Sequence, residues 1–164
     1  MFKSQQIKKP YSYIEPAIRP LVDMLNSVNA VRTIASCEGH TNGKPPYVYF
    51  KAPLYFASCL EKVLRDDSES GLPLLSSQWV VVGRFDGSFE LTYSLHSPEY
   101  FQISYDNFGM SAWWLFGIRR RRLDKEILAL AEYVKQASCL NIWNCHKPNI
   151  PNHAKHDDRN GDNT

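Results

Sequence analysis

Apolar positions along the chain switch between helical and strand-like periods. Ile14, Ile18, Leu21, Leu25 and Val28 recur at helical spacing and predict a first helix ending near Asn29. Ser12 and Glu15 have capping-box spacing ahead of it. Pro20 interrupts the pattern, so either the helix is kinked there or its regular part begins near Arg19. Val31–Ala35 is a short apolar run that gives way to a polar loop, and Tyr47–Phe50 starts a second run, which reads as strand, loop, strand. Pro53 then opens a second helix whose apolar stripe is Phe56, Ala57, Leu60, Val63 and Leu64, with Cys59 beside it. Asp66–Gly71 is a polar break, and Leu72–Gln78 is irregular.

Trp79–Phe85 and Ser88–Leu95 are β-rich and flank Asp86-Gly87, which predicts an antiparallel hairpin turning at that pair. Gly83 suits a bulge. Pro98 ends the pairing, and Tyr100–Tyr105 reads as a fifth strand. Phe108–Ile118 is aromatic and shows no clear period. Leu123, Ile127, Leu130, Ala131 and Val134 mark the clearest helix, with Asp124 and Glu126 placed near its expected start, where the dipole favours acids. Leu140–Ile150 is expected to return across the core through Ile142 and Trp143, and 151–164 reads as a disordered polar tail. The order helix–strand–strand–helix–strand–strand–(strand)–helix predicts a single α+β domain over 1–150, with three helices on a mainly antiparallel sheet.

Composition changes this picture little. A chain of 164 residues, 43% hydrophobic and 22% charged, is ordinary for one globular domain. Nine Tyr, 8 Phe and 4 Trp are enough to fill a core. A net charge of +2 supplies no global field, so contact with nucleic acid or membrane must come from a local patch. Met1–Gln6 has no apolar run of the secretory kind, and Phe108–Ile118 is too short to span a bilayer. A cytoplasmic protein with no membrane partner is expected. Cys37, Cys59, Cys139 and Cys145 are too few for a disulfide scaffold, so reduced thiols are the simpler reading.

Chemistry concentrates at Ser36-Cys37-Glu38-Gly39-His40. Read as a site, Glu38 and His40 serve as acid and base. Ser36, Cys37 and Gly39 then line a ligand pocket, with Lys44 adding positive charge and Cys37 a nucleophile if its pKa is lowered. Read as structure, Glu-Gly is turn chemistry, Ser36 caps backbone groups and Cys37 is a small buried hydrophobe. Alternation along extended chain puts residues 36, 38 and 40 on one face with Ile34, and Val31, Thr33 and Ala35 on the other. Gly39 is expected to break that regularity and turn Glu38 or His40. At least two of Ser36, Glu38 and His40 are expected to line one concave pocket. Cys37-x-x-His40 and Cys145-His146 invite a zinc reading, but the second pair is a poor knuckle, so no stoichiometric metal is expected.

Arg119, Arg120, Arg121 and Arg122 follow Trp113-Trp114. This stretch is a phosphate-binding patch with aromatic platforms for unpaired bases, a membrane-surface element, or a solvated helix start whose arginines pair with Asp124 and Glu126. Four arginines at a helix N-terminus oppose the dipole.

A helix followed by Thr33-x-x-Ser36-Cys37-x-Gly39 resembles the opening of the tRNA wybutosine-synthesis methyltransferase family, the third enzyme of that pathway, which carries Ser-Cys-Ser-Gly-Arg after its first helix. Pro46-Tyr47-Val48-Tyr49-Phe50 leading into Pro53–Leu64, the break at Ser70-Gly71 and the strand pair Val80–Leu95 follow that family's order of elements. The resemblance covers about residues 17 to 96. Ser36, Cys37 and Gly39 match the motif; Glu38 stands for its second serine and His40 for its arginine. The resemblance implies an RNA- or nucleotide-related protein and methyl transfer from S-adenosylmethionine. The alternative is a non-enzymatic interaction protein that binds a protein or nucleic acid partner through an aromatic and arginine surface.

Overall fold

The computed structural model describes residues 13–40, 44–102 and 118–140, with the side chains of residues 101, 102, 118 and 119 outside the description. Its elements run α1 (Arg19–Ser27), β1 (Arg32–Glu38), β2 (Pro46–Lys51), α2 (Leu54–Ser68), β3 (Val80–Phe85), β4 (Leu91–His96), α3 (Pro98–Gln102) and α4 (Ile118–Cys139). The four strands form one sheet in the order β1-β2-β4-β3, with every neighbouring pair antiparallel. This is the single α+β domain that the periodicity predicts.

One face of the sheet carries the core. Val48 and Phe50 of β2 oppose Leu95 and Tyr93 of β4, and all four are buried. They join Leu21, Val22 and Leu25 of α1, Phe56, Leu60 and Leu64 of α2, and Leu123, Ile127 and Leu130 of α4 in one apolar cluster. Tyr100 of α3 belongs to the same cluster, so every described helix contributes to this side. Burying such side chains contributes about 1.5–3 kcal/mol each. Alternation along the strands then leaves the opposite face without a described helix.

Local chemistry sets the element ends. α1 begins at Arg19, with Pro20 in its first turn, where its missing N–H breaks no helical bond; residues 13–18 ahead of it are not helical, so the helix is regular from Arg19 rather than kinked at Pro20. At its C-terminus Ala30 takes φ 63°, and Asn26 accepts the Thr33 N–H at 2.9 Å, tying α1 to β1. The β3–β4 hairpin forms, but its loop is longer than an Asp-Gly turn. Phe85 pairs with Leu91, Asp86 Oδ1 accepts the N–H groups of Ser88 and Glu90, and the positive φ of 59° falls on Phe89 rather than on Gly87. Gly83 pairs regularly with Tyr93; the irregularity of the sheet lies instead in β1, between Thr33 and Ala35.

Pro98–Gln102 is helical, which replaces the start of the expected fifth strand. The Glu99 carboxylate in its first turn accepts the Gln78 N–H at 3.0 Å. The last helix starts at Ile118, before the arginine run, so Glu126 lies two turns inside it and is buried. Cys37 and Cys139 are free thiols, whereas Cys59 is disulfide-bonded, against the expectation of reduced thiols throughout. Ser12, Trp113, Trp114, Cys145, His146 and 151–164 lie outside the described residues. Among the described residues no helix is long and apolar enough to cross a membrane.

Candidate functional site

Ser36, Cys37 and Glu38 close β1, and Gly39 turns the chain with φ +80°. No L side chain adopts that backbone easily, and a Cβ there would lie 3.2 Å from Pro46 Cδ and 3.3 Å from Leu123 Cδ2. The bulge in β1 changes which residues share a face. Thr33 opposes Phe50 and Ser36 opposes Val48, so Thr33 joins Ser36 and Glu38 on the helix side, contrary to simple alternation. Ala35 and Cys37 oppose Tyr49 and Tyr47 on the other side. Ile34 is the extra residue and is exposed.

The turn sends Glu38 and His40 to different partners. Glu38 Oε2 accepts the Ala17 N–H at 2.9 Å, and its backbone N–H donates to Glu15 Oε2 at 3.0 Å. These reciprocal bonds brace the segment before α1 against the end of β1. His40 Nε2 lies 3.0 Å from Glu15 Oε1, and its backbone N–H donates to the Lys44 carbonyl at 2.9 Å. Lys44 is exposed. The Cys37 thiol is pushed up by burial; the Gly39 N–H directed at its sulfur opposes that shift, Glu15 adds to it, and Lys44 offsets it. A raised thiol is a weak nucleophile at neutral pH. Glu15 is the residue that the sequence reading missed, because its role requires contact across 22–25 positions.

Two clefts, of about 380 and 340 Å³, lie along α2 and the 73–80 segment, and none of Ser36, Glu38 or His40 lines either. Asp67 in the larger cleft accepts N–H bonds from Leu74 and Leu75 and a hydroxyl bond of 2.6 Å from Tyr133. Burial, with that contact added, raises the Tyr133 pKa well above the usual phenol value.

The arginine run is divided. Arg120 Nη1 donates to the carbonyls of Glu38 and Gly39 at 3.2 Å each, lies 3.5 Å from Glu38 Oε1, and its Nε is 2.8 Å from Asp124. Arg122 donates to Ser76 and sits 3.5 Å from Glu126. Arg121 is exposed, and the Arg119 side chain lies outside the described residues. The pairing to Asp124 and Glu126 is thus present, and the Arg120 and Arg122 guanidinium groups are occupied within the fold.

The face of the sheet away from the described helices collects a second set of functional groups, in three rows across the strands. Strand alternation and register give Arg32, Lys51, Thr92 and Arg84 in the first row, and Ala35, Tyr49, Ser94 and Val82 in the second. The third row holds Cys37, Tyr47, His96 and Val80. The Tyr47 and Tyr49 rings stand 4.7 Å apart, tilted by 39°, and the Arg84 guanidinium lies 5.7 Å from the Tyr49 ring centre. Arg32 and Arg84 are exposed, Thr92 and Ser94 are buried, and Lys51 pairs with Asp86 and Glu90. His96 Nδ1 lies 3.0 Å from Ser94 Oγ; burial lowers the His96 pKa, and Arg84 lowers it further. The Tyr-Val-Tyr-Phe alternation in β2 was the sequence signal for this surface.

Compared with known proteins, the chain matches no family model, no curated protein and no solved structure.

Proposed function

We propose that this chain is an RNA- or nucleotide-binding protein that lays unpaired bases across the face of its sheet that carries none of the described helices. The observation that carries the reading is the tyrosine pair on the central strand β2, with Arg84 over Tyr49. Bases stack on aromatic rings whatever their identity, at about 1–3 kcal/mol per base. In the neighbouring row the exposed Arg32 and Arg84 supply cations for phosphates. A protein partner has less support, since the cores of protein interfaces are depleted in charge. The resemblance to the wybutosine family supports an RNA target, and with it methyl transfer from S-adenosylmethionine. Against catalysis by Glu38 and His40 stands their engagement with Ala17, Arg120 and Glu15.

Fluorescence anisotropy with a labelled oligouridine across a salt series tests the reading. Tyr47→Ala and Tyr49→Ala should each weaken binding by about tenfold or more, from the energy of one stacked base. Arg84→Gln should reduce the salt slope by about one, while Arg121→Gln on α4 leaves it unchanged. Absence of binding, or weakening by Arg121→Gln alone, overturns the proposal.

A further inference from the structure

Three side chains with metal-ligating atoms converge at the corner where β1 leaves the sheet. A carboxylate oxygen of Glu15, Cys37 Sγ and a ring nitrogen of His40 all lie within 4.8 Å of one another. The convergence depends on Gly39. In regular strand, residues 37 and 40 point to opposite faces. The φ of +80° at Gly39 turns His40 back to the Cys37 side, where Glu15 arrives from the segment before α1.

We propose that Glu15, Cys37 and His40 bind one zinc ion, with a fourth position open to water or a ligand atom. Tetrahedral zinc, with bonds of about 2.0 Å to nitrogen or oxygen and 2.3 Å to sulfur, spaces its ligand atoms by about 3.3–3.6 Å. His40 Nε2 and Glu15 Oε1 are already 3.0 Å apart. Side-chain shifts on the order of an ångström therefore complete the geometry. Three protein ligands with the fourth position left to water is the pattern of zinc sites that can take up a further ligand, as catalytic ones do. The donor set also selects the ion, because thiolate and imidazole favour zinc over magnesium or calcium.

The surrounding hydrogen bonds hold the donors in place. Glu15 Oε2 accepts the Glu38 N–H and leaves Oε1 turned to His40. The Gly39 N–H points at the Cys37 sulfur, and the His40 backbone is fixed by the Lys44 carbonyl. Such outer bonds orient metal ligands and raise affinity. Cys37 is 7% exposed and the Glu15 side chain 12%, while His40 is 34% exposed, so the ion enters from the His40 side. The Lys44 charge acts on Cys37, but Lys44 is exposed and its field is screened by solvent. The sequence argued against zinc through the poor Cys145-His146 pair, whereas the glutamate of this cluster lies more than twenty positions upstream of Cys37. This inference stands apart from the RNA reading.

The test uses the tag-free full chain, equilibrated with zinc sulfate and desalted, then analysed for metal. The expected result is one zinc per chain. Cobalt(II) in its place should give a thiolate-to-cobalt charge-transfer band in the near ultraviolet. Cys37→Ser should abolish that band, and His40→Ala and Glu15→Gln should weaken zinc affinity by about tenfold or more. Cys139→Ser, at an exposed thiol, should retain the ion. Glu15→Gln keeps an acceptor for the Glu38 N–H, so it reads the ligand role even if the cysteine variant does not fold. A wild-type chain that retains no zinc overturns the proposal, as does unchanged affinity in Glu15→Gln and His40→Ala.

Discussion

Glu126 offers the sharpest test of what holds the fold together. Its carboxylate is 2% exposed and accepts from Trp79 Nε1 at 3.1 Å and Tyr100 Oη at 3.2 Å, with Ser76 Oγ as a further donor. The contacts join α4 to the 73–79 segment and to α3. Glu126→Ala removes the acceptor and leaves the Trp79 and Tyr100 donors buried, at 3% and 6% exposure. Removing the acceptor of a buried donor costs about 1–3 kcal/mol. The half-exposed Arg122 finds water and adds little. Relief from holding a buried carboxylate offsets part of the sum, so a net loss of about 2–4 kcal/mol is expected. Glu126→Gln keeps one carbonyl acceptor but turns an amide N–H toward donors, and should lose about 1–2 kcal/mol. Urea unfolding followed by far-ultraviolet circular dichroism measures both, independently of the tryptophan signal that the substitution alters. A loss below about 0.5 kcal/mol for Glu126→Ala, the level of an ordinary surface change, refutes the network as a source of stability.

Gly39→Ala should destabilise by about 1–3 kcal/mol, from the left-handed backbone and from the close approach of Pro46 and Leu123; an unchanged urea midpoint counts against the turn. Burial depresses the folded-state pKa of His96 below its ordinary 6.5, so the unfolded chain takes up the proton first. Stability should be full above pH 6.5 and fall as the pH drops below it; His96→Asn should flatten that dependence, and coincident profiles for the two proteins contradict the assignment.

The elements were legible where one signal dominated. The stripe of α2 appears as predicted because it buries one face against the core. The two β-rich runs around Asp86 pair as predicted through β4, whose Tyr93 and Leu95 are buried, while β3 stays largely exposed at the sheet edge. Legibility failed where a local signal competed with a tertiary contact. Tyr100 and Phe101 have strand character, yet Pro98, Glu99 and the core contact of Tyr100 favour a helical turn. Asp86-Gly87 marks the hairpin but not its length, because the Asp86 side chain organises a wider loop. The arginine run as a helix start was one of three readings, and its like charges oppose the dipole. Asp124, Glu126 and the carbonyls of Glu38 and Gly39 compensate them, and only two of those partners are near in sequence. At the candidate site, Ser36–His40 was visible as a cluster, but Glu15 and the change of face at the bulge were not. No glycine or proline stands at Ile34 to announce that bulge.

Photocrosslinking tests the central claim most directly. A single-stranded RNA carrying 4-thiouridine is irradiated with the full chain, and the linked peptides are mapped. The account predicts crosslinks on the β2 peptide that contains Tyr47 and Tyr49, with a weaker set on β3 around Arg84, and their loss in excess unlabelled RNA. Crosslinks confined to the α4 peptide that contains Arg121, or none at any RNA concentration that the protein tolerates, contradict it.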